Sequence, residues 1–500
     1  MKYKNFIRKA LIYSGNPMKQ LFFFLLLFSC VSTSAQVFQA VVATDGSGTY
    51  TTIQAALNAC PDNVRSIVFV KNGIYNEQVT VGSSTVASAK LISLIGESAN
   101  GVIITHSQSR AASGSPTFED VCTVKIYAKD FYAENLTVQN TAGNTGMAEA
   151  MYTAGDRQTF KNCRFLGYQD TYRSRKATRG YFENCWLEGA TDFIYAGGIN
   201  IFDNCTINSV SGGCATAPED ADVSISKTAT VCGKFIRVGF FFRNCNLTAN
   251  SNVAAGACYL GRPWNTTSGS IYLNCKLGSH INAAGWQAWG GNETTASFAE
   301  YNSMDVNGNP VDVSGRISWS FQLPKADVDN LMTTTHIFSL ENGTTVYNPI
   351  PLCVAPASPV IISLAPSSIT WNKVDSISGY VVLKDGNYLT AVTDTTYTDK
   401  SGISGVYSVK SIGLFGQLSK ASSIPTSVEN PVETTVTATM VNKIIYLHQT
   451  ASIQLYSTTG KIMGSSENCD TYSVKDFSKG IYLLRIKDSN GRIRTQKLIF

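Results

Sequence analysis

Phe160-Lys161-Asn162-Cys163, Phe182-Glu183-Asn184-Cys185, Phe202-Asp203-Asn204-Cys205, Phe242-Arg243-Asn244-Cys245 and Tyr272-Leu273-Asn274-Cys275 repeat one unit along the middle of the chain. A weaker copy, Ala133-Glu134-Asn135-Leu136, precedes them. The cysteines of the five units are spaced 22, 20, 40 and 30 residues apart. An aromatic–polar–Asn–Cys unit at such a period is the signature of a solenoid. The residues between copies form short alternating apolar runs, which read as strands, and no long stretch carries a 3.6-residue period. The expectation is a parallel β-helix with one coil per unit, the 40-residue interval holding two coils. Each Asn is expected to stack on the next at a bend and bond backbone groups there.

Composition agrees and narrows the function. The chain has 500 residues, 44% of them hydrophobic and 15% charged, against about 25% charged in an average domain. A net charge of +5 is too weak to indicate nucleic acid and favours an acidic substrate only mildly. The four histidines, His106, His280, His336 and His448, lie in no metal-ligand spacing and near no nucleophile elbow. A zinc site and a Ser-His-Asp hydrolase are therefore not expected, and no cofactor is called for. The acidic run Glu219-Asp220-Ala221-Asp222 reads as a solvated loop rather than a calcium site. Thirteen cysteines in an exported chain raise the question of disulfides. The five repeat cysteines read as a buried ladder of small thiols, although coils ~4.8 Å apart leave a bridge geometrically open.

The termini speak of export. Leu21 to Phe28 is an unbroken apolar run behind Lys19, too short to span a bilayer, and Ser34-Ala35 before Gln36 suits a signal peptidase. Residues 1–35 are expected to be a signal peptide; Met18 to Ala35 alone makes a complete one, and processing as a lipoprotein at Cys30 is the alternative. The repeat domain is expected over 36–347 and a Pro-rich linker over 348–366. Residues 367–426, with Asp385-Gly386 as a hairpin turn, resemble a fibronectin type III sandwich. Residues 427–500, with Gly480-Ile481-Tyr482-Leu483-Leu484-Arg485 and the ending Lys497-Leu498-Ile499-Phe500, resemble the C-terminal sorting domain of the type IX secretion system. A secreted or cell-surface protein, recognised by that machinery and acting as a monomer, is the expectation.

Seven residues after Cys163 comes Asp170, and seven after Cys185 comes Asp192. Their spacing equals the repeat offset of 22. In-register coils would place the two carboxylates one above the other, about 5 Å apart. At an effective dielectric near 20 they would repel by roughly 3 kcal/mol, or about two pKa units. One should then keep its proton while the other is ionised, giving an acid and a nucleophile side by side. Two solvated loop aspartates are the plain alternative; Gln169 and Phe193 beside them point instead to a partly apolar wall.

These motifs carry a resemblance. Asp45-Gly46-Ser47-Gly48-Thr49-Tyr50, Gly73-Ile74-Tyr75-Asn76-Glu77, Gln139-Asn140-Thr141-Ala142-Gly143, both aspartate segments, Leu260-Gly261-Arg262-Pro263-Trp264 and Gly285-Trp286-Gln287-Ala288-Trp289 occur in the order of the pectin methylesterases. The chain resembles that family from about residue 40 to 325. The resemblance implies an all-β fold, a right-handed parallel β-helix followed here by small β-sandwich domains. It implies hydrolysis of methyl esters on polygalacturonate (pectin), releasing methanol. Carried over, Asp192 is the nucleophile, Asp170 the acid and then the base, Gln169 an oxyanion donor, and Arg262 the group that orients Asp192. Trp264 and Trp286 are expected to offer flat faces to sugar rings, and Thr117 to line the substrate site.

The chain departs from the family at Met147-Ala148-Glu149-Ala150-Met151, where many members have Gln-Ala-Val-Ala-Leu. Met147 thus replaces a second oxyanion donor, and losing one such donor costs on the order of 10²–10³ in kcat. That keeps two other readings in play, a pectin-binding surface module with weak catalysis and a related ester or thioester hydrolase. Pectate lyases and polygalacturonases share the fold, but their clusters of carboxylates and basic residues are absent here.

Overall fold

The computed structural model describes residues 37–499 apart from 86–87, 115–116, 220–228, 232–233, 237–238, 332, 340–345, 366, 401–404, 423–437, 442, 490 and 492. The signal-peptide expectation lies outside the described residues, and so does most of the Glu219–Asp222 run. The described chain divides into two units, 1–424 and 425–500.

The first unit is built on three parallel sheets of eleven, nine and seven strands, each complete coil contributing one strand to each sheet in turn. Gln158–Lys161, Arg164–Leu166 and Tyr172–Ser174 make one such coil. Each Asn of the repeat sits at the corner between the first and second of these strands. Asn135, Asn162, Asn184, Asn204, Asn244, Asn274 and Asn302 all have φ between 51° and 59°. The left-handed region excludes most side chains but tolerates Asn, which is why the residue recurs. Side-chain bonds between corners, Asn204 to Asn184 and Asn302 to Asn274 (2.9 Å), extend the stack.

The aromatic residue two before each of the five repeat Asn and the Cys after it point inward. Phe160, Phe182, Phe202, Phe242 and Tyr272 form a continuous stack, with centroid separations of 4.7, 4.7, 4.7 and 4.3 Å. The described cysteines are all free thiols. In the ladder Cys185, Cys205, Cys245 and Cys275 each donate to a carbonyl of the coil before, as Cys245 does to Phe202 at 3.3 Å, while Cys163 donates to Lys161 C=O on its own coil. Truncating Phe202 to Ala should cost about 3–5 kcal/mol, because a stacked column cannot close over the gap. Reversible denaturant melts read that loss.

The 40-residue interval is one coil rather than two. Phe202 pairs directly with Phe242, and Ile199–Asp203 lies beside Phe240–Arg243. The surplus chain leaves the coil after the strand Gly213–Pro218 and carries a hairpin, Ala229–Val231 with Lys234–Ile236. Length alone does not separate two coils from one enlarged coil.

The solenoid's first coils are covered by the helix Ile53–Ala59, which buries Ile53, Ala56 and Leu57. The Glu77 carboxylate accepts from the Ile53 and Gln54 amides at 2.8 and 3.1 Å, so a carboxylate neutralises the helix's free N–H groups. The Gly73–Glu77 motif thereby caps the helix that follows the Asp45–Tyr50 motif.

The expected linker 348–366 contains two short regular elements, one on either side of the irregular stretch 354–360. Pro351 lies in the first turn of a short helix, Ile350–Cys353, and Ile361–Ala365 pairs with Ser368–Trp371. Proline suits a helix's first turn, so Pro351 is compatible with the short helix there. From there to residue 422, two three-stranded antiparallel sheets enclose Ile369, Trp371, Tyr380, Val382, Tyr407 and Val409. The alternate residues Val381 and Leu383 pack with Phe69, Ile95 and Tyr132 on the outside of the eleven-stranded sheet. The second unit is a separate antiparallel sheet with its own core, including Ile453, Leu455, Leu484 and Ile486.

Candidate active site

Strand register brings the two aspartates together. Gln169 bridges Thr191, and Tyr172 pairs with Ile194, so the 22-residue offset holds on both sides of Asp170 and Asp192. Both residues adopt left-handed φ, 61° and 49°, at the loop between the second and third strands of their coils. Asp tolerates that conformation better than most residues. The loops are tied by Asp170 N–H to Thr191 C=O (3.2 Å) and Asp192 N–H to Cys214 C=O (2.7 Å). The side chains lie one coil apart and are 5% and 7% exposed.

Arg262 distinguishes the pair. Its Nε and Nη2 donate to the two Asp192 oxygens at 3.0 and 2.6 Å. Such a fork holds a carboxylate in one orientation and favours its ionised form. Gly261 makes the approach possible: a Cβ there would lie 2.0 Å from the Thr216 hydroxyl. The guanidinium also covers the Trp289 ring at 4.0 Å and reaches Gln287 Oε1 at 3.5 Å. Burial pushes Asp192 up, and Arg262 pulls it back. Among the described residues no hydrogen bond or ion pair engages the Asp170 carboxyl. Burial first, then Asp192 and Glu149, push it up to about 8. Desolvation outweighs the repulsion between the aspartates that their spacing predicts.

Gln169 stands between Met147 and Thr191 in a ladder of bridges across three coils. Its amide has no hydrogen-bond partner among the described residues and is half-buried beside the aspartates. Met147 occupies the neighbouring rung with a side chain that cannot donate. A cavity of about 690 Å³ is lined by Phe118, Tyr152, Arg173, Lys176, Tyr195 and Trp264 among others; Arg173 and Tyr195 lie three residues from the aspartates, which do not themselves line it. Trp264 is 38% exposed and 6.1 Å from the Tyr195 ring.

Two expected positions fall elsewhere. Trp286 is 1% exposed, packed between Tyr272 and Phe298, so it serves the core and offers no face to a sugar. Its neighbour Gln287 and then Trp289 reach Arg262, as alternation along an extended segment dictates. Thr117 is exposed and donates to Asp120 at 2.6 Å, while the adjacent Phe118 lines the cavity. Sequence reasoning also missed Glu149, Arg173 and Tyr195, which form a network beneath Asp170. Their positions, two to three residues from Met147, Asp170 and Asp192, are the signal that was available.

Comparison with known proteins identifies the family and its fold. The family model described as pectinesterase matches residues 39–339. The chain belongs to the pectinesterase family. A second family model, a secretion system C-terminal sorting domain, matches residues 430–500. A pectinesterase/pectinesterase inhibitor of Brassica campestris is 31% identical over 289 residues, which cover 56% of this chain and 48% of the relative. A probable pectinesterase/pectinesterase inhibitor 13 of Arabidopsis thaliana is 35% identical over 295 residues, covering 56% and 45%. The chain thus spans about half the length of these curated relatives. The solved pectin methylesterase from carrot is 26% identical and superposes with a TM-score of 0.53, over 62% of this chain and 98% of that one. The parallel β-helix is the family fold.

Proposed function

We propose that this pectinesterase-family chain is an exported carboxylic ester hydrolase that removes methyl groups from polygalacturonate. The observation that carries the reading is the unequal pair: Asp192 clamped by Arg262, and Asp170 without a cation of its own and pushed up to about 8. Near neutrality that pair offers a carboxylate nucleophile next to a carboxylic acid.

The Asp192 carboxylate attacks the ester carbonyl, and the Gln169 amide donates to the oxygen that becomes negative. Asp170 passes its proton to the departing methoxide, and methanol leaves an acyl-aspartyl intermediate. The ionised Asp170 then takes a proton from water, whose oxygen attacks the acyl carbon. Collapse restores ionised Asp192 beside protonated Asp170 and releases the uronic acid, which gives its proton to solvent and leaves as the carboxylate. Trp264, Tyr195 and Phe118 supply apolar faces for sugar rings beside the reacting ester. The sorting-domain match supports passage through the type IX secretion machinery to the surface or medium, with residues 1–35 as the signal for the inner membrane.

Methanol release from highly methylated pectin, set against turnover of chromogenic acyl esters and thioesters, tests the reading. Preference for pectin supports it; preference for the small esters or thioesters replaces the substrate. Met147 favours a second possibility, pectin binding with slow turnover. Met147→Gln adds a donor next to Gln169 and is expected to raise kcat by about tenfold or more, up to the 10²–10³ that one oxyanion donor is worth. A large fall in kcat would instead place the thioether in a rebuilt site.

A further inference from the structure

Asp170 has a third carboxyl beside it. Glu149 lies on the coil before Asp170, so Glu149, Asp170 and Asp192 occupy three successive coils. The register explains why Glu149 faces this column. Met147 bridges Gln169 at an offset of 22, but Met151 pairs with Tyr172 at 21, leaving one extra residue on the Glu149 coil. The coil's path is fixed by Glu149 C=O, which accepts from Asn140 Nδ2 (3.1 Å) and the Thr123 amide (3.2 Å).

The Glu149 side chain is 0% exposed. Its Oε1 accepts from the Tyr195 hydroxyl and lies 3.4 Å from Arg173 Nη1; its Oε2 has no partner. Arg173 is shared with Glu119 and stacks 3.8 Å over the Tyr152 ring. The groups facing Glu149 are therefore Arg173 and Tyr195 from the following coils, Glu119 and Cys122 from the preceding loop, and Asp170. The column has a cation at each end, Arg173 at Glu149 and Arg262 at Asp192, and none dedicated to its middle member. A buried carboxyl with an unpartnered oxygen is costly and has no purpose in packing that an apolar residue would not serve better.

We propose that Glu149 is a positioning residue for the ester hydrolysis: its buried carboxylate, anchored by Tyr195 and Arg173, keeps the proton on Asp170 while Asp192 is ionised. This rests on the reading of Asp170 as proton donor. Burial pushes Glu149 itself up to about 7, so it gains its charge in the range where Asp170 must still hold a proton. A negative neighbour makes ionisation of Asp170 harder. Glu149 thereby extends activity toward alkaline pH.

The test is the pH profile of kcat for the full chain, its Glu149→Gln and Glu149→Val variants, and Glu149→Asp. Gln and Val both remove the charge, the first preserving an acceptor for Tyr195 and the second an apolar fill. Either is expected to move the alkaline limb toward acid by about one pH unit, with the acid limb in place, and Asp to restore the parent limb. The infrared carbonyl band of the protonated carboxyl reads the same shift without substrate. A parent that releases no methanol contradicts the substrate reading, and the infrared comparison then decides this one alone. An unchanged limb or band in a folded variant overturns the proposal. Loss of folding in both charge-removing variants also overturns it, by assigning Glu149 to the scaffold.

Discussion

Asp192→Asn is expected to lower methanol release by on the order of 10⁴–10⁶-fold while the protein stays folded. The amide cannot form the acyl intermediate, so the loss falls on kcat rather than on pectin affinity. The fold should survive for a reason visible in the scaffold. Asn occupies left-handed corners on neighbouring coils, such as Asn184 at φ 54°, and Asp192 sits at 49°. Arg262 keeps one acceptor from the amide and still stacks on Trp289. Matching circular dichroism and melting curves would establish that the lost activity is chemical. A variant within tenfold of the parent would remove Asp192 from the nucleophile role.

Asp170→Asn is expected to abolish turnover and at the same time to stabilise the protein above pH 4, increasingly up to about pH 8. The direction follows from proton linkage. In the unfolded chain Asp170 ionises near its ordinary value of 3.8; in the folded protein it holds its proton to about 8. Below both values the two states bind the proton equally and no penalty exists. Between them only the unfolded state is ionised, so folding stability falls by up to about 1.4 kcal/mol per pH unit. Above pH 8 the whole penalty is present, a few kcal/mol in order of magnitude. Asn carries no such penalty, so the stability difference between variant and parent should grow across that window. Denaturant melts at several pH values measure it; a difference that stays constant with pH would mean that Asp170 is not held protonated.

The two aspartates illustrate what a sequence of this kind discloses. A repeat that is visible in Phe-x-Asn-Cys units carries its own register, so an equal offset between two loop residues already places them on neighbouring coils. Strand pairing confirms that register on both sides of Asp170. The reason for Asn at each corner is backbone conformation, and composition at that corner showed the residue without showing the φ angle. What stayed hidden depends on direction and depth. Trp286 and Trp289 are three residues apart in one motif, yet one is in the aromatic core and the other on Arg262. Its place two residues from Met147 marks Glu149 as near the site, but the one-residue slip that turns it toward Asp170 belongs to strand register. The size of the Asp170 effect was hidden for a related reason: spacing reports repulsion, whereas burial is a property of the packed coils around it.

Methanol release from highly methylated citrus pectin, measured side by side for the full chain and for folded Asp192→Asn, tests the central claim most directly. Release by the parent with none above background from the variant is the predicted result. Equal release by both, or none from a folded parent, would contradict an aspartate-nucleophile pectin methylesterase.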